Sequence, residues 1–277
     1  MRRWFIIMAR ARPSYPMTLP AISLVTPSLN QGEFIEKTIL SVLSQEYPHL
    51  EYIVMDGGSS DNTPGVLKRY SDRISWASEP DHGQTNAINK GLRMTHGAII
   101  GYLNADDTLS PGSLWKVAEA FANQPDAMWA TGKCRIVDEK GVEIRRSITR
   151  YKNLLLGVGS LPVLLMTNYI SQPSTFWRRD ALGDVGFLDE NLHYTMDYEY
   201  WLRLHSRFPL LFIPEYLASF TIHPASKTTS MGHRDVYIRE EKEVIRRYTR
   251  SRVLWFLHDL HRSLMTGTYT VVNHRWR

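Results

Sequence analysis

The chain has very little cysteine. Its 277 residues contain one, Cys134, which excludes an internal disulfide and any cysteine-rich zinc cluster and fits a reducing compartment. Long apolar runs are also missing. The candidates, "WFII" near the start and "LLLGVGSLPVLLM" at 154–166, fall short of the roughly 18 residues that span a bilayer. No G-x-G-x-x-G follows the first strand-like run, and neither G-x-x-x-x-G-K-[ST] nor G-x-S-x-G occurs. Any nucleotide held here is held without a glycine cradle, and a bridging metal is the natural substitute for the missing phosphate-binding amides.

What is present is ordinary globular composition, 43% hydrophobic and 22% charged, with enough material for one large core or two small ones. The net charge of +5 favours anionic partners, such as phosphorylated ligands, nucleic acid or a lipid headgroup surface, and by itself selects none of them. The first residues, "MRRWFIIMARARPSYPM", superficially resemble a secretion signal. The apolar patch is too short for one and is followed by more arginine, so residues 1–19 read as a poorly ordered extension, with Met17 an alternative start. The expected location is the cytoplasm, extending to the inner face of the membrane.

From residue 21 to about 138 short apolar runs alternate with helical patterns. "AISLVTPSLN" leads to "GEFIEKTILSVLSQ", in which Phe34, Ile35, Thr38, Ile39, Val42 and Leu43 share a helical face. "LEYIVMDGGSSDNT" leads to "TPGVLKRYS", read as a helix capped by Thr63 with Pro64 first. "RISWASEPDHG" leads to "QTNAINKGLRMT", and "GAIIGYLNADD" to a helix with Ser110 as cap. Such alternation implies βαβ units, an α/β fold with a mostly parallel sheet and helices on both faces. The polar residues that end the strands, Asn30, Asp56, Asp81 and the group Asn104 to Asp107, then collect along one sheet edge, where open α/β sheets bind ligands.

The second half is less periodic. Residues 126–148 read as two strands joined at "DEKG", and "MDYEYWLRLHSRF" as a helix with Asp197 in its first turn. From Pro224 on, the chain reads as basic and helical, its longest helix spanning "RDVYIREEKEVIRRYTRSRVLWFLHDLHRSL". There Arg246, Arg247, Arg250, Arg252 and Arg262 interleave with Tyr248, Trp255 and Phe256, a composition suited to peripheral contact with an anionic lipid surface; a helix packed back on the domain accounts for it equally. Adjacent aspartates such as Asp106 and Asp107 serve as turn or cap residues as readily as metal ligands. Asp197 equally suits a helix dipole, His223 has no neighbouring histidine, and Trp177 and Trp201 are first of all core candidates.

Four stretches taken together, "ISLVTPSLNQGEFIEKTILSVLSQEYPHLEYIVMDGGSSDNT", "SEPDHGQTNAINKGL", "GYLNADDTLSPGSL" and "VGFLDENLHYTMDYEYWLRL", resemble family 2 glycosyltransferases of the GT-A fold, inverting enzymes that build bacterial surface polysaccharides. The resemblance covers about residues 20 to 230. It implies a nucleotide-sugar half at 20–125, an acceptor half at 126–230 and a basic helical segment at 231–277. It also implies that Pro27 and Asn30 lie under the nucleotide, that Asp56 meets a uracil ring, and that Asp81 and Asn89 line the donor site. Asn104 and Asp106 fall on the family's D-x-D positions, with Asn104 in place of the usual Asp and still able to meet a ribose hydroxyl. Asp106 and His223 are implied to hold a divalent cation, Mn²⁺ or Mg²⁺. Asp197 falls on the second position of the E-D pair, the general base, and Met196 replaces the Glu. Gln172, Ser174 and Phe176 match the acceptor-side segment, and Trp201 is grouped with them. The implied partners are a nucleotide sugar, UDP-linked, and a hydroxyl of a glycan, lipid-linked or protein acceptor, with no nucleic acid. Two alternatives stand beside this reading: a nucleotidyltransferase, which is expected to carry a Gly- and Lys-rich loop that "TPSLNQGE" lacks, and a non-catalytic sugar-nucleotide or glycan-binding protein of the same fold.

Overall fold

A computed structural model describes residues 19–224, 226–227 and 234–274. The expected extension therefore lies, through residue 18, outside the described residues.

β1 (Ile22–Ser28), β2 (Leu50–Asp56), β3 (Ser75–Ser78) and β4 (Ile99–Tyr102) are separated by α1 (Ile35–Leu43), α2 (Thr63–Arg69) and α3 (Gln84–Met94). After β4 come β5 (Thr108–Leu109), α4 (Ser113–Asn123), β6 (Trp129–Asp138), α5 (Arg146–Val158), α6 (Leu161–Met166) and a 3-10 turn at Gln172–Ser174. β7 (Thr175–Arg178), α7 (Ala181–Val185), α8 (Met196–Arg207), β8 (Leu211–Ile222), α9 (Arg234–Tyr248) and α10 (Arg252–His274) complete the chain. The eight strands form one sheet in the order β3-β2-β1-β4-β7-β6-β8-β5. The first four are mutually parallel, with Ile22 opposite both Leu50 and Ile99. β7 then enters antiparallel between β4 and β6, and β6 and β8 run parallel.

Successive strand residues point to opposite faces, which divides the core in two. Ile22, Leu24, Tyr52, Val54 and Ile99 pack with α1, α2 and α4, whereas Val25, Ile53, Met55, Ile100 and Tyr102 pack with α3, α6 and α8. Of the helical face expected in α1, Ile35, Thr38, Ile39, Val42 and Leu43 are buried. Gly101 allows a close approach: a Cβ there would lie 3.0 Å from the Phe176 ring on β7, which would have to give way by a few tenths of an ångström.

Several local expectations are corrected. Thr63 is the first helical residue of α2 rather than its cap, and its hydroxyl donates to Asp61 Oδ1 at 2.5 Å. Ser110 does not cap α4, which starts after Gly112 in the left-handed region at φ 73°. The second strand after "DEKG" does not form. Asp138 Oδ1 accepts from Lys140 N and Val142 N, the return is limited to one bridge between Val137 and Glu143, and the chain enters α5. The long C-terminal helix is two helices. Thr249 and Ser251 bond the local backbone, with Ser251 Oγ accepting from Leu254 N at the start of α10. Nor do these helices stand apart, since Val244 and Ile245 of α9 are buried in the main core and α10 packs on α6.

Candidate active site

The carboxyl ends of the parallel strands carry a polar cluster. Asp56, the last residue of β2, is 2% exposed, and it accepts from Ser59 N at 2.9 Å, Ser59 Oγ at 2.5 Å and Ser78 Oγ at 2.6 Å. Asn30, just past β1, takes the left-handed conformation at φ 53°; its N–H donates to Ser59 Oγ and its Oδ1 accepts from Ser60 N. The loops after β1 and β2 are thereby tied together, with Pro27 opposite Met55 in the adjoining register. Asp81, past β3, accepts from Gly83 N at 2.7 Å and lies so near Gly57 that a Cβ there would meet its Oδ2 at 2.6 Å. Asn89, 1% exposed on α3, turns toward the other half: its amide group bonds Leu188 N, Leu188 O and Glu190 Oε1.

After β4 the two adjacent carboxylates divide. Asp107 is fully buried and accepts from Thr221 N at 2.8 Å, fastening β8 to the end of β4. Burial first, then the charge of Asp106, pushes its carboxyl well above the ordinary range. Asp106 remains partly accessible, with Oδ2 at 3.1 Å from His223 Nε2; the buried imidazole also stacks on Phe34 at 4.2 Å between ring centres. Asn104 Oδ1 accepts from Gln84 Nε2 at 2.8 Å.

Asp197 stands in the first turn of α8, its Oδ1 accepting from Tyr198 N at 2.6 Å. Desolvation raises its pKa above the usual carboxylate value, opposed by that hydrogen bond and by the charges of Lys152 and Lys227. The lysines are depressed in turn, chiefly by desolvation, with Asp197 pulling each back up. Lys152, on α5, donates to Ile170 O at 3.3 Å. Lys227 donates to Gln84 Oε1 at 3.2 Å and to His193 O, so it bridges the Gln84–Asn104 pair and the entrance of α8. Glu240 of α9 holds that entrance, accepting from His193 N at 3.0 Å, Tyr194 N at 2.8 Å and Thr195 N at 3.2 Å. Sequence reading missed Lys152, Lys227, Gln84 and Glu240. Only Lys227 left a trace, four residues after His223 in a polar loop.

On the expected acceptor side, Gln172 donates to Tyr102 O at 2.5 Å, while Gln172 Oε1 and the Tyr102 hydroxyl, both buried, have no hydrogen-bond partner among the described residues. Ser174 and Trp201 are fully buried. The Ser174 hydroxyl donates to Gly132 O and Ser171 O, and Trp201 stacks on Trp129 at 6.2 Å, so their surfaces are committed to the core and present no face to a ligand. Phe176 is likewise interior. Cys134 is buried with its thiol pushed up to about 12, which leaves it unreactive.

Among the described residues no group of three or more His, Cys, Asp and Glu converges as a metal cage. Asp106 and His223 are two donors brought together from positions 117 residues apart. A carboxylate oxygen and an imidazole nitrogen facing each other fit a divalent cation whose remaining positions are filled by ligand phosphate and water.

A parallel four-strand half with a polar carboxyl edge, continued by a mixed half that carries the Asp197 helix, is the GT-A architecture of glycosyltransferases. The solved structures that are similar agree. Staphylococcus aureus TarS 1–349 in complex with UDP superposes at a TM-score of 0.59 with 16% identity over 81% of this chain and 64% of that one. The mannosyltransferase PcManGT from Pyrobaculum calidifontis, in complex with GDP-Man and Mn²⁺, does so at 0.66 with 17% identity over 88% and 69%. The profile described as Glycosyl transferase family 2 matches residues 23–185, more than half of the chain, and the protein belongs to that family. It is also 24% identical over 253 residues to an uncharacterized glycosyltransferase of Rickettsia prowazekii, covering 88% of this chain and 78% of that one. The poly-beta-1,6-N-acetyl-D-glucosamine synthase of Staphylococcus epidermidis is 29% identical over 175 residues, 62% of this chain and 42% of that protein. Family membership sets the nucleotidyltransferase alternative aside. No helix among the described residues is long and apolar enough to cross a membrane.

Proposed function

We propose that this glycosyltransferase moves a sugar from a uridine diphosphate sugar to an acceptor hydroxyl with inversion at the anomeric carbon. Asp197 takes the acceptor proton as the hydroxyl oxygen bonds to C1 and the C1–O bond to the diphosphate breaks. One displacement inverts the centre, and the nucleoside diphosphate leaves with the bonding pair. A buried carboxylate whose pKa is raised above the ordinary value by desolvation, with two lysines favouring its ionised form, suits a general base. The observation that carries the reading is Lys227, which bonds Gln84 beside Asn104 and acts electrostatically on Asp197, joining the nucleotide edge to the base.

On this reading Asn30, Asp56 and Asp81 border the uridine, Pro27 and Asn89 support the donor loops, and Asn104 meets the ribose. Asp106 and His223 would hold Mn²⁺ or Mg²⁺, and such a cation when bound neutralises charge on the departing diphosphate. Among proteins of similar fold TarS has been solved with UDP and UDP-GlcNAc and PcManGT with GDP-Man, which supports a nucleoside-diphosphate-sugar donor, and the polysaccharide synthase among the relatives supports a glycan acceptor. A screen of nucleotide sugars for binding and slow hydrolysis in Mn²⁺ tests the proposal. UDP-sugars are expected to bind best, and preference for a guanosine donor would overturn the uridine assignment.

A further inference from the structure

Half of the arginines and aromatics expected to face a lipid surface are tied to other groups of the protein, while Arg250, Arg252 and Phe256 stay exposed. Arg247 pairs with Asp189 at 2.8 Å, Arg262 with Asp259 at 2.5 Å, the Tyr248 hydroxyl donates to Glu199, and Trp255 Nε1 donates to Thr249 O. A different surface emerges. On α10, Val253, Phe256 and Leu260 recur at helical spacing, and on α5, Leu154 and Val158 do the same; all five are between 44% and 69% exposed. The two helices touch through Tyr151 and His261, whose rings stack at 5.8 Å and whose polar atoms lie 2.8 Å apart. Their opposite sides are anchored, since Ile148 and Leu156 of α5 and His258 of α10 are buried. Leu260 adjoins His261 and Leu154 lies one turn from Tyr151, so the two exposed rows approach each other at that contact.

The charge around it is mainly positive; Glu143, just before α5, pairs with Arg146 at 3.6 Å and leaves that arginine largely exposed. Across α5 and α10 the sequence carries a single carboxylate, Asp259, already taken by Arg262, whereas Arg146, Arg150, Arg250 and Arg252 are exposed beside the apolar rows. We infer that the outer face of α5 and α10 docks on an anionic lipid bilayer, lying in the headgroup layer and not crossing it. Exposed Leu, Val and Phe flanked by arginine and nearly free of carboxylates match such a surface. A symmetric contact with a second copy would instead bring these arginines toward their counterparts. The inference goes beyond the proposed reaction and does not rest on it.

Co-sedimentation of the full-length protein with phosphatidylglycerol/phosphatidylcholine vesicles, and with phosphatidylcholine alone, tests this without donor or acceptor. Its failure is therefore separate from failure of the transfer reading. Binding to the anionic vesicles is expected, with Phe256→Asp/Leu260→Asp reducing the partition coefficient about tenfold or more. Leu154→Asp should weaken it less, and Leu40→Asp, at an exposed apolar site on α1, should leave it unchanged. Melting temperature and light scattering on the same proteins identify other occupants. No binding to anionic vesicles by the folded wild type overturns the inference. So does binding unaffected by the double substitution, a dimer that the double substitution dissociates without any vesicle binding, or a large loss of melting temperature showing that another segment of the chain covers the row.

Discussion

The two halves of the sheet build their share of the site in opposite ways. In the parallel half, each polar residue stands where its own strand ends: Asn30 after β1, Asp56 closing β2, Asp81 after β3, Asn104 and Asp106 after β4. In the mixed half, Asp197 is positioned by contacts from far along the chain, with Glu240 of α9 holding the entrance of α8 and Lys227 arriving from beyond β8. The first half inherits its geometry from topology, and the second assembles it from tertiary contacts. Damage to one half should therefore leave the other's function measurable.

The largest effect should come from the mixed half. Asp197→Asn keeps the shape of the side chain but cannot accept a proton, so transfer should fall by roughly 10² to 10⁴-fold while UDP affinity, measured by titration calorimetry, hardly changes. The same variant should melt higher at neutral pH. A carboxyl whose folded pKa is raised contributes stability below its unfolded pKa and loses it as pH rises through the folded value; Asn is spared that loss. If Asp197 serves only the helix dipole, the variant instead loses about 1 kcal/mol or less and transfers normally.

The parallel half is tested by Asp106→Ala. With Mn²⁺ present, UDP affinity should drop about tenfold or more, the loss of one charge-assisted contact, and EDTA should erase the difference from wild type. Equal affinity in all four combinations of protein and metal would remove Asp106 from the metal role. Glu240→Ala sharpens the contrast from outside the site. It leaves the N–H groups of His193, Tyr194 and Thr195 without their acceptor and should cost about 2–3 kcal/mol in urea denaturation, lowering transfer more than UDP affinity. The smallest effect is expected for Lys152→Met, which should move the acid limb of the transfer rate to higher pH, since Lys152 favours the ionised form of Asp197. An unmoved limb would separate the two residues.

The same contrast sets how much the sequence revealed. Strand ends in a parallel sheet are legible because short apolar runs stop at polar residues, which placed Asp56 and Asp106 on the sheet edge, while their roles came from the family resemblance. Asp107 looked like a duplicate of its neighbour; that it fastens β8 through Thr221 N depends on a strand more than a hundred residues away. Glu240 sat in a helix with charges on every side, and no periodicity marked it as the support of α8. Ser174 and Trp201 were grouped with the acceptor by their neighbours in the chain, and packing buried both. The C-terminal helices show the same gap, because hydrophobic spacing continued across Thr249–Ser251 while two short side chains bonding the backbone ended one helix and began the next.

The central claim, that Asp197 is the base of the transfer reaction, is tested most directly by the rate of sugar transfer against pH for the wild type and Asp197→Asn at saturating donor. The wild-type rate should fall as pH drops through a midpoint above the ordinary aspartate value, the direction in which burial moves this carboxyl. Asp197→Asn should be slow at every pH and lack that limb. A variant with near-normal transfer and an unchanged acid limb would contradict the account.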